Sequence, residues 1–274
     1  MSVTRRQFLG TSAAAVIVAG AMAKGKVFGA NDRVRFGVAG IHGRGGSHLE
    51  GFSQSDGSEV VAICDVDKRV LEGRAKWMET EVGKRPKTFV DMREMIEDGE
   101  VDALSFATPN HWHALGTVWA CQAGKHVYVE KPVSHEYNEG RAVIDAARAN
   151  NVLVQHGTQA RSEHPWIRAI ERIREGVIGD IYMARALCYK NRGSIGFKPD
   201  EAPPEWLDWT LWQGPAQDRP FNSNYVHYNW HWFWPYGNGD IGNQGVHQLD
   251  AATGGMNKGL PNKVFSMGGR YTYE

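Results

Sequence analysis

Val34-Arg35-Phe36-Gly37-Val38-Ala39-Gly40-Ile41-His42-Gly43-Arg44-Gly45-Gly46 is the stretch that decides the architecture of this chain. A short apolar run enters a cluster of glycines, and a helical pattern follows toward residue 53. Such a strand, turn and helix can cradle a pyrophosphate, because glycine admits close backbone approach and a helix N-terminus presents free N–H groups. The dinucleotide form of the turn is Gly-x-Gly-x-x-Gly. Gly40 and Gly45 fill its first and third places, while His42 stands in the second. The His42 side chain either pushes the pyrophosphate outward or leans away, and Gly43 supplies part of the missing clearance. Gly40, His42, Gly43, Arg44 and Gly45 are therefore candidate cofactor contacts.

Outward from this turn, strands and helices alternate. Strands are expected at 60–64, 101–107, 126–129 and 152–156, with helices near 67–82, 111–123 and 136–150. Alternation at this spacing implies an α/β fold with a doubly wound, parallel sheet. In such sheets ligands bind outside the carboxyl ends of the strands, so residues at strand ends carry the functional reading. Asp65 ends the second strand, where a carboxylate can accept both ribose hydroxyls of NAD and repel a 2′-phosphate. The competing reading makes it an N-cap for the next helix. Lys68 and Arg69 keep NADP open. Thr108-Pro109-Asn110-His111-Trp112-His113 follows the next strand end. Thr108 and Asn110 can bond ribose or backbone there, and His111 and His113 either face the nicotinamide or merely start the helix. Glu130-Lys131-Pro132 ends the strand after that, and the proline restricts the backbone that carries the lysine.

The 274 residues are 42% hydrophobic and 23% charged, with 31 acidic and 31 basic side chains. That balance fits a soluble chain of one large or two medium domains and argues against a nucleic-acid surface. Three widely spaced cysteines, Cys64, Cys121 and Cys188, fit buried thiols better than a disulfide framework or a metal site. Residues 1–30 read as an address. Thr4-Arg5-Arg6-Gln7-Phe8-Leu9 precedes a weakly apolar run and Ala21-Met22-Ala23, a small-x-small cleavage site. The run is too short to span about 30 Å of hydrocarbon, so no stable membrane anchor is expected. The pattern resembles a twin-arginine (Tat) signal and implies periplasmic or extracellular export after folding. The cofactor-binding domain is then expected over 31–157 and a second domain over 158–274.

The second region changes character. A helix is expected at 165–175, strands at 179–190 and 263–273, and a helix at 243–253. Two strands alone leave open edges, so the chain is expected to be a fragment of a longer one. Asn243, His247 and Asp250 lie at i, i+4 and i+7, on one face of a helix. An imidazole near neutral pKa is the natural base for an alcohol proton. On this reading Asp250 orients His247, and Asn243 binds a substrate hydroxyl. Six of the ten tryptophans fall between Trp206 and Trp234. Most are expected to pack an irregular region, with one or two lining a pocket for a flat sugar face.

Together these motifs resemble the Gfo/Idh/MocA family of NAD(P)-dependent sugar oxidoreductases. The matching pieces are Gly40 to Gly45, Asp65, Thr108-Pro109-Asn110, Glu130-Lys131-Pro132, Gln155-His156-Gly157-Thr158-Gln159 and Gly245-Val246-His247 through Asp250. The resemblance implies a Rossmann domain followed by an α/β domain with an open, mostly antiparallel sheet that commonly mediates homo-oligomers. It implies NAD, with NADP possible, as cofactor, a carbohydrate as small-molecule partner, and Lys131 with His247 as the catalytic pair. There are two departures from the pattern. His42 replaces a loop glycine, and Asn243 stands where many members carry aspartate. Three activities follow as expectations: a sugar or polyol oxidoreductase, a redox-neutral glycosidase that oxidises its sugar transiently, or a non-catalytic sugar binder. Export would require the dinucleotide to be retained and regenerated within each cycle.

Overall fold

The computed structural model describes residues 32–269, so the Tat-type signal expected over 1–30 lies outside the described residues. Six strands form one parallel sheet: β1 (Val34–Ala39), β2 (Ser58–Cys64), β3 (Lys87–Phe89), β4 (Ala103–Phe106), β5 (His126–Glu130) and β6 (Val154–Gly157). Their order is β3-β2-β1-β4-β5-β6, and every pairing is parallel. The connecting helices are α1 (Arg44–Gln54), α2 (Lys68–Trp77), α3 (Met92–Glu97), α4 (Asn110–Gln122) and α5 (Tyr137–Ala149). The strand order reverses between β1 and β4, which opens the ligand crevice at the carboxyl ends of those two strands.

Local chemistry accounts for the elements. β1 and β2 are apolar runs that become fully buried toward their carboxyl ends. Asp67 caps α2 by accepting from the backbone N–H groups of Arg69 and Val70. Glu136 and Glu139 form a reciprocal capping box on α5. Two apolar clusters line the sheet, one around Val38, Leu49, Ile63 and Met78, the other around Leu104, Phe106, Trp112 and Val129. The three-residue strand β3 and the single-turn α3 were not expected from the sequence. Both are too short to show a period.

Beyond β6 come α6 (His164–Arg174), the short α7 (Trp209–Gln213) and α8 (Val246–Met256), which packs against α6. A third apolar cluster, aromatic in the main, joins Leu207, Trp209, Trp212, Phe221, Tyr225, Trp230 and Tyr236. Packing thus occupies Trp209, Trp212 and Trp230, as expected for most of this group. The strands expected at 179–190 and 263–273 do not form among the described residues, where both segments are mostly exposed and unpaired. The last positions of the second one lie outside the described residues. β-propensity expresses packing and pairing against neighbours, and neither segment has a neighbouring strand among the described residues. For the same reason Cys188 is exposed, whereas Cys64 and Cys121 are buried as expected.

The aromatic region is mounted on the first turn of α4. His111 places Nε2 3.0 Å from the Trp212 carbonyl and Nδ1 3.4 Å from that of Tyr236. Trp112 donates its indole N–H to the carbonyls of Leu211 and Trp212 at 3.1 Å. Asn110 donates to Asn238 Oδ1 at 2.8 Å. No helix among the described residues is long and apolar enough to cross a membrane.

Candidate active site

The glycine turn is shaped for close approach. Gly40 has φ +78°, and a Cβ there would lie 2.7 Å from the Ala107 backbone. A Cβ on Gly45 would lie 2.1 Å from the Gly40 carbonyl oxygen. Around Gly43 nothing stands within 4 Å, so the middle of the turn faces open space. That space belongs to a cavity of about 530 Å³, which runs from Asp65 and Val66 past the turn to Lys131, Asn243 and His247. Arg44 begins α1 at the cavity wall and donates from Nε to Glu130 at 3.0 Å.

Asp65 sits where the ribose reading requires, at the end of β2 and against the cavity. Its carboxylate also stitches the turn, accepting from Ile41 N–H at 2.9 Å and Asp67 N–H at 3.0 Å. Burial raises its pKa to about 6, against the lowering effect of those backbone donors. The helix cap considered for Asp65 belongs to Asp67 instead. Asp67 in turn holds Arg69 at 2.9 Å, and the Arg69 guanidinium lies 3.4 Å over the Trp206 ring.

His42 lines the cavity near its Asp65 end, its ring stacked on His227 at 4.2 Å. Thr108 Oγ1 is buried at the cavity with no hydrogen-bond partner among the described residues. A buried hydroxyl of this kind needs a partner, which fits a ligand that brings its own polar groups. The open turn, the Asp65 carboxylate and this hydroxyl together suit a dinucleotide lying along the cavity. Asn110 and His113 also reach the cavity wall, the Asn110 amide N–H donating to Asn238 and both His113 ring nitrogens lying against backbone carbonyls. His113 lies between two carbonyl oxygens, those of Pro132 at 2.6 Å and Thr108 at 2.8 Å. A neutral imidazole donates to only one acceptor, and burial keeps His113 below the ordinary histidine range. His111 and His113 thus brace the frame at the start of α4, and His113 also lines the cavity.

Glu130 ends β5 almost fully buried, with His48 Nε2 and Arg44 Nε each 3.0 Å from its Oε1. Burial alone would raise its pKa, but the His48 and Arg44 bonds outweigh it and hold the carboxyl at about 2. Glu130 therefore anchors the turn from below. His48 escaped the sequence reading, although its place one turn after Arg44 put both on one helical face.

Lys131 and His247 line the same cavity. Lys131 Nζ donates to the Asn243 carbonyl at 2.5 Å and lies 3.3 Å from Asn243 Oδ1. Burial lowers its pKa. Burial and then the Lys131 charge likewise lower that of His247, which favours the neutral imidazole. Asn243 thus holds Lys131, and its amide donates to Tyr228 Oη at 3.2 Å. Asp250 does not orient His247. Arg161, in the turn after β6, donates to both Asp250 oxygens at 2.5–3.0 Å. Tyr228 and His231 add polar edges to the cavity beside Lys131. Burial lowers His231 to about 4. Their only signal in the sequence was the dense run of aromatic and polar residues around 228–233.

The family profile of the NAD-binding Rossmann fold of an oxidoreductase family, GFO_IDH_MocA, matches residues 34–158. The profile of the same family's C-terminal α/β domain matches residues 187–261. A glycosyl hydrolase family 109 protein of Shewanella pealeana is 27% identical over 212 residues, covering 68% of this chain and 46% of the relative. An uncharacterized oxidoreductase of Streptococcus pneumoniae is 34% identical over 169 residues, covering 60% of this chain and 44% of the relative. The chain thus spans less than half the length of these curated relatives. The crystal structure of myo-inositol 2-dehydrogenase from Lactobacillus plantarum is similar with a TM-score of 0.50 and 26% identity, over 54% of this chain and 43% of that one. The WlbA dehydrogenase from Bordetella pertussis, solved with NADH and UDP-GlcNAcA, shares the fold with a TM-score of 0.58 and 24% identity, over 81% and 58%. Both halves of the two-domain pattern are matched in chain order, and the chain belongs to the Gfo/Idh/MocA family of oxidoreductases, with NAD as its cofactor.

Proposed function

We propose that this protein transfers hydride between a hydroxyl-bearing carbon of a sugar or polyol and NAD. The observation that carries the reading is the meeting of the Lys131 ammonium and the His247 imidazole in one cavity with the glycine turn and Asp65. The nicotinamide ring supplies the hydride-accepting carbon. Lys131 donates to the substrate hydroxyl oxygen and stabilises the charge that develops there. His247, neutral at physiological pH, takes the hydroxyl proton. Asn243 keeps Lys131 in place between turnovers, while Tyr228 and His231 offer polar contacts to further hydroxyls. NAD is preferred over NADP on this reading. Asp65 repels a 2′-phosphate, and Arg69 is already committed to Asp67 and Trp206.

The test is to purify the protein, look for a co-purifying nicotinamide dinucleotide by native mass spectrometry, and screen pyranoses and inositols for NADH formation. A protein that neither carries nor binds NAD, and reduces none with any polyol, defeats the proposal.

A second reading is favoured by the similarity to glycosyl hydrolase family 109 proteins. Here the same pair would handle the hydroxyl proton while bound NAD would take up hydride from the glycoside, the aglycone would leave by elimination as its alcohol, water would add, and NADH would return the hydride to the sugar. Release of a chromogenic aglycone without added NAD, and without net NADH, would distinguish this from the first reading. If residues 1–30 direct export, a retained cofactor suits both.

A further inference from the structure

His227 belongs to the irregular second region, yet its ring lies at the nucleotide end of the cavity, 160 residues from the aspartate that holds it. Its Nε2 stands 2.9 Å from Asp67 Oδ2, and its ring stacks on His42 with planes 12° apart. The segment that carries it is buttoned to the rim beyond β2. Lys68 N–H donates to the Trp206 carbonyl at 2.9 Å, and Asp208 N–H donates to Val66 at 3.0 Å. These bonds flank an antiparallel bridge between Asp67 and Leu207. Arg69 adds a side-chain link, paired with Asp67 and stacked over Trp206.

This rim is the end of the crevice where a parallel sheet of this kind places the adenosine ribose. The departure of His42 from the glycine pattern acquires a reason there. The side chain at the second position of the turn stacks on a partner from the second region, and both rings stand at the edge of the cavity. Burial and the neighbouring His42 keep His227 below the ordinary histidine range, so the stack forms without charge repulsion at neutral pH.

We propose that His42 and His227 form a two-ring clasp across the adenosine end of the site, so that NAD escapes only when the rings part. The clasp joins the first domain's turn to the second region and makes cofactor exchange slow. It rests on the nucleotide reading of the cavity but not on which substrate is oxidised.

The experiment is a chase of bound NADH with excess NAD⁺, followed by loss of NADH fluorescence, for the wild-type chain, His227→Ala and His227→Phe. Losing a stacked ring pair should speed release about tenfold in His227→Ala. His227→Phe retains a flat face for His42 and should release at close to the wild-type rate. Circular dichroism checks that each variant folds. Should His227→Ala not fold, His42→Gly removes the stack from the other side, restores the glycine of the motif, and should give the same acceleration. Wild-type release rates in these two variants overturn the clasp. Release from His227→Phe as fast as from His227→Ala also overturns it, because the Asp67 tether would then be responsible. A wild-type chain that binds no NADH overturns the nucleotide reading and the clasp together. Accelerated release in a protein that oxidises no sugar leaves the clasp standing and sinks only the substrate reading.

Discussion

Glu130→Gln isolates the buried anchor beneath the glycine turn. The carboxylate is 4% exposed and held by Arg44 and His48, with its pKa at about 2 instead of the usual 4.5. A difference of this size corresponds to about 3 kcal/mol of preference for the ionised form in the folded state. The folded value lies below the unfolded one, so this stability is fully present above the unfolded pKa and is lost as pH falls toward the folded value. At pH 3, between the two, about 2 kcal/mol of it should be gone. Glutamine does not ionise and lacks this dependence. Urea unfolding at about pH 7 and pH 3 gives the change for each protein. Asp67, Asp91, Asp98 and Asp102, also held low by their partners, are present in both proteins and cancel. The wild-type protein should therefore lose about 2 kcal/mol more than the variant between the two pH values. Equal losses would refute the account of Glu130 as an ionised anchor.

Lys131→Ala should lower kcat by a factor on the order of 10² to 10³, the usual cost of removing one donor to a developing oxyanion, while the Kd for NADH measured by fluorescence changes much less. His247→Ala should cost about 10² to 10⁴ in kcat. Since its pKa lies below the ordinary 6.5, the wild-type oxidation rate should rise with pH below that value and be flat by neutrality. A rate still climbing above neutral pH would assign the base elsewhere. Asp65, with its pKa at about 6, should ionise across that value as pH rises and so bind the ribose hydroxyls more strongly. Calorimetric NAD⁺ affinity should increase through about pH 6 in the wild-type chain and stay flat in Asp65→Asn. Gly45→Ala places a methyl against the Gly40 carbonyl. It should cost about 3 kcal/mol or abolish NAD binding, read by thermal unfolding with and without NAD.

What was legible in the sequence is what local pattern encodes. The strand, glycine turn and helix from Val34 onward, the acid ending β2, and the charged pair ending β5 each occupy fixed places relative to an apolar run. Their positions at strand ends bring them to one crevice in any parallel sheet. His247 was legible for a similar reason, since helical spacing put it beside Asn243. Asp250 was misread because i, i+3 spacing does not reveal a competitor, and Arg161 reaches it from the turn after β6. The segments at 179–190 and 263–269 read as strands because their side chains favour pleated packing, yet strand formation depends on partners that no local window contains. His227 was invisible as a site residue because its partners, Asp67 and His42, lie far away in the chain.

The two histidines of α4 show how a site depends on groups that need not touch its ligand. In the sequence they follow Thr108 at a strand end, the place where ligand contacts are expected. In the fold, His111 carries the aromatic region on its ring, through the Trp212 and Tyr236 carbonyls. His113 spans the gap between the ends of β4 and β5, from the Thr108 carbonyl to the Pro132 carbonyl. That gap sets the separation between the Thr108 hydroxyl and the Lys131 amine, two groups that line the cavity. The second region brings Asn243 and His247 to the same place, and it is anchored to the first domain through the same helical turn. One turn of α4 therefore contributes both to the spacing of the first domain's polar groups and, with the links at Val66, Asp67 and Lys68, to the seat of the region that completes the pair. An altered ring at position 113 should consequently disturb Lys131 through the backbone of Pro132, without removing any group that meets substrate.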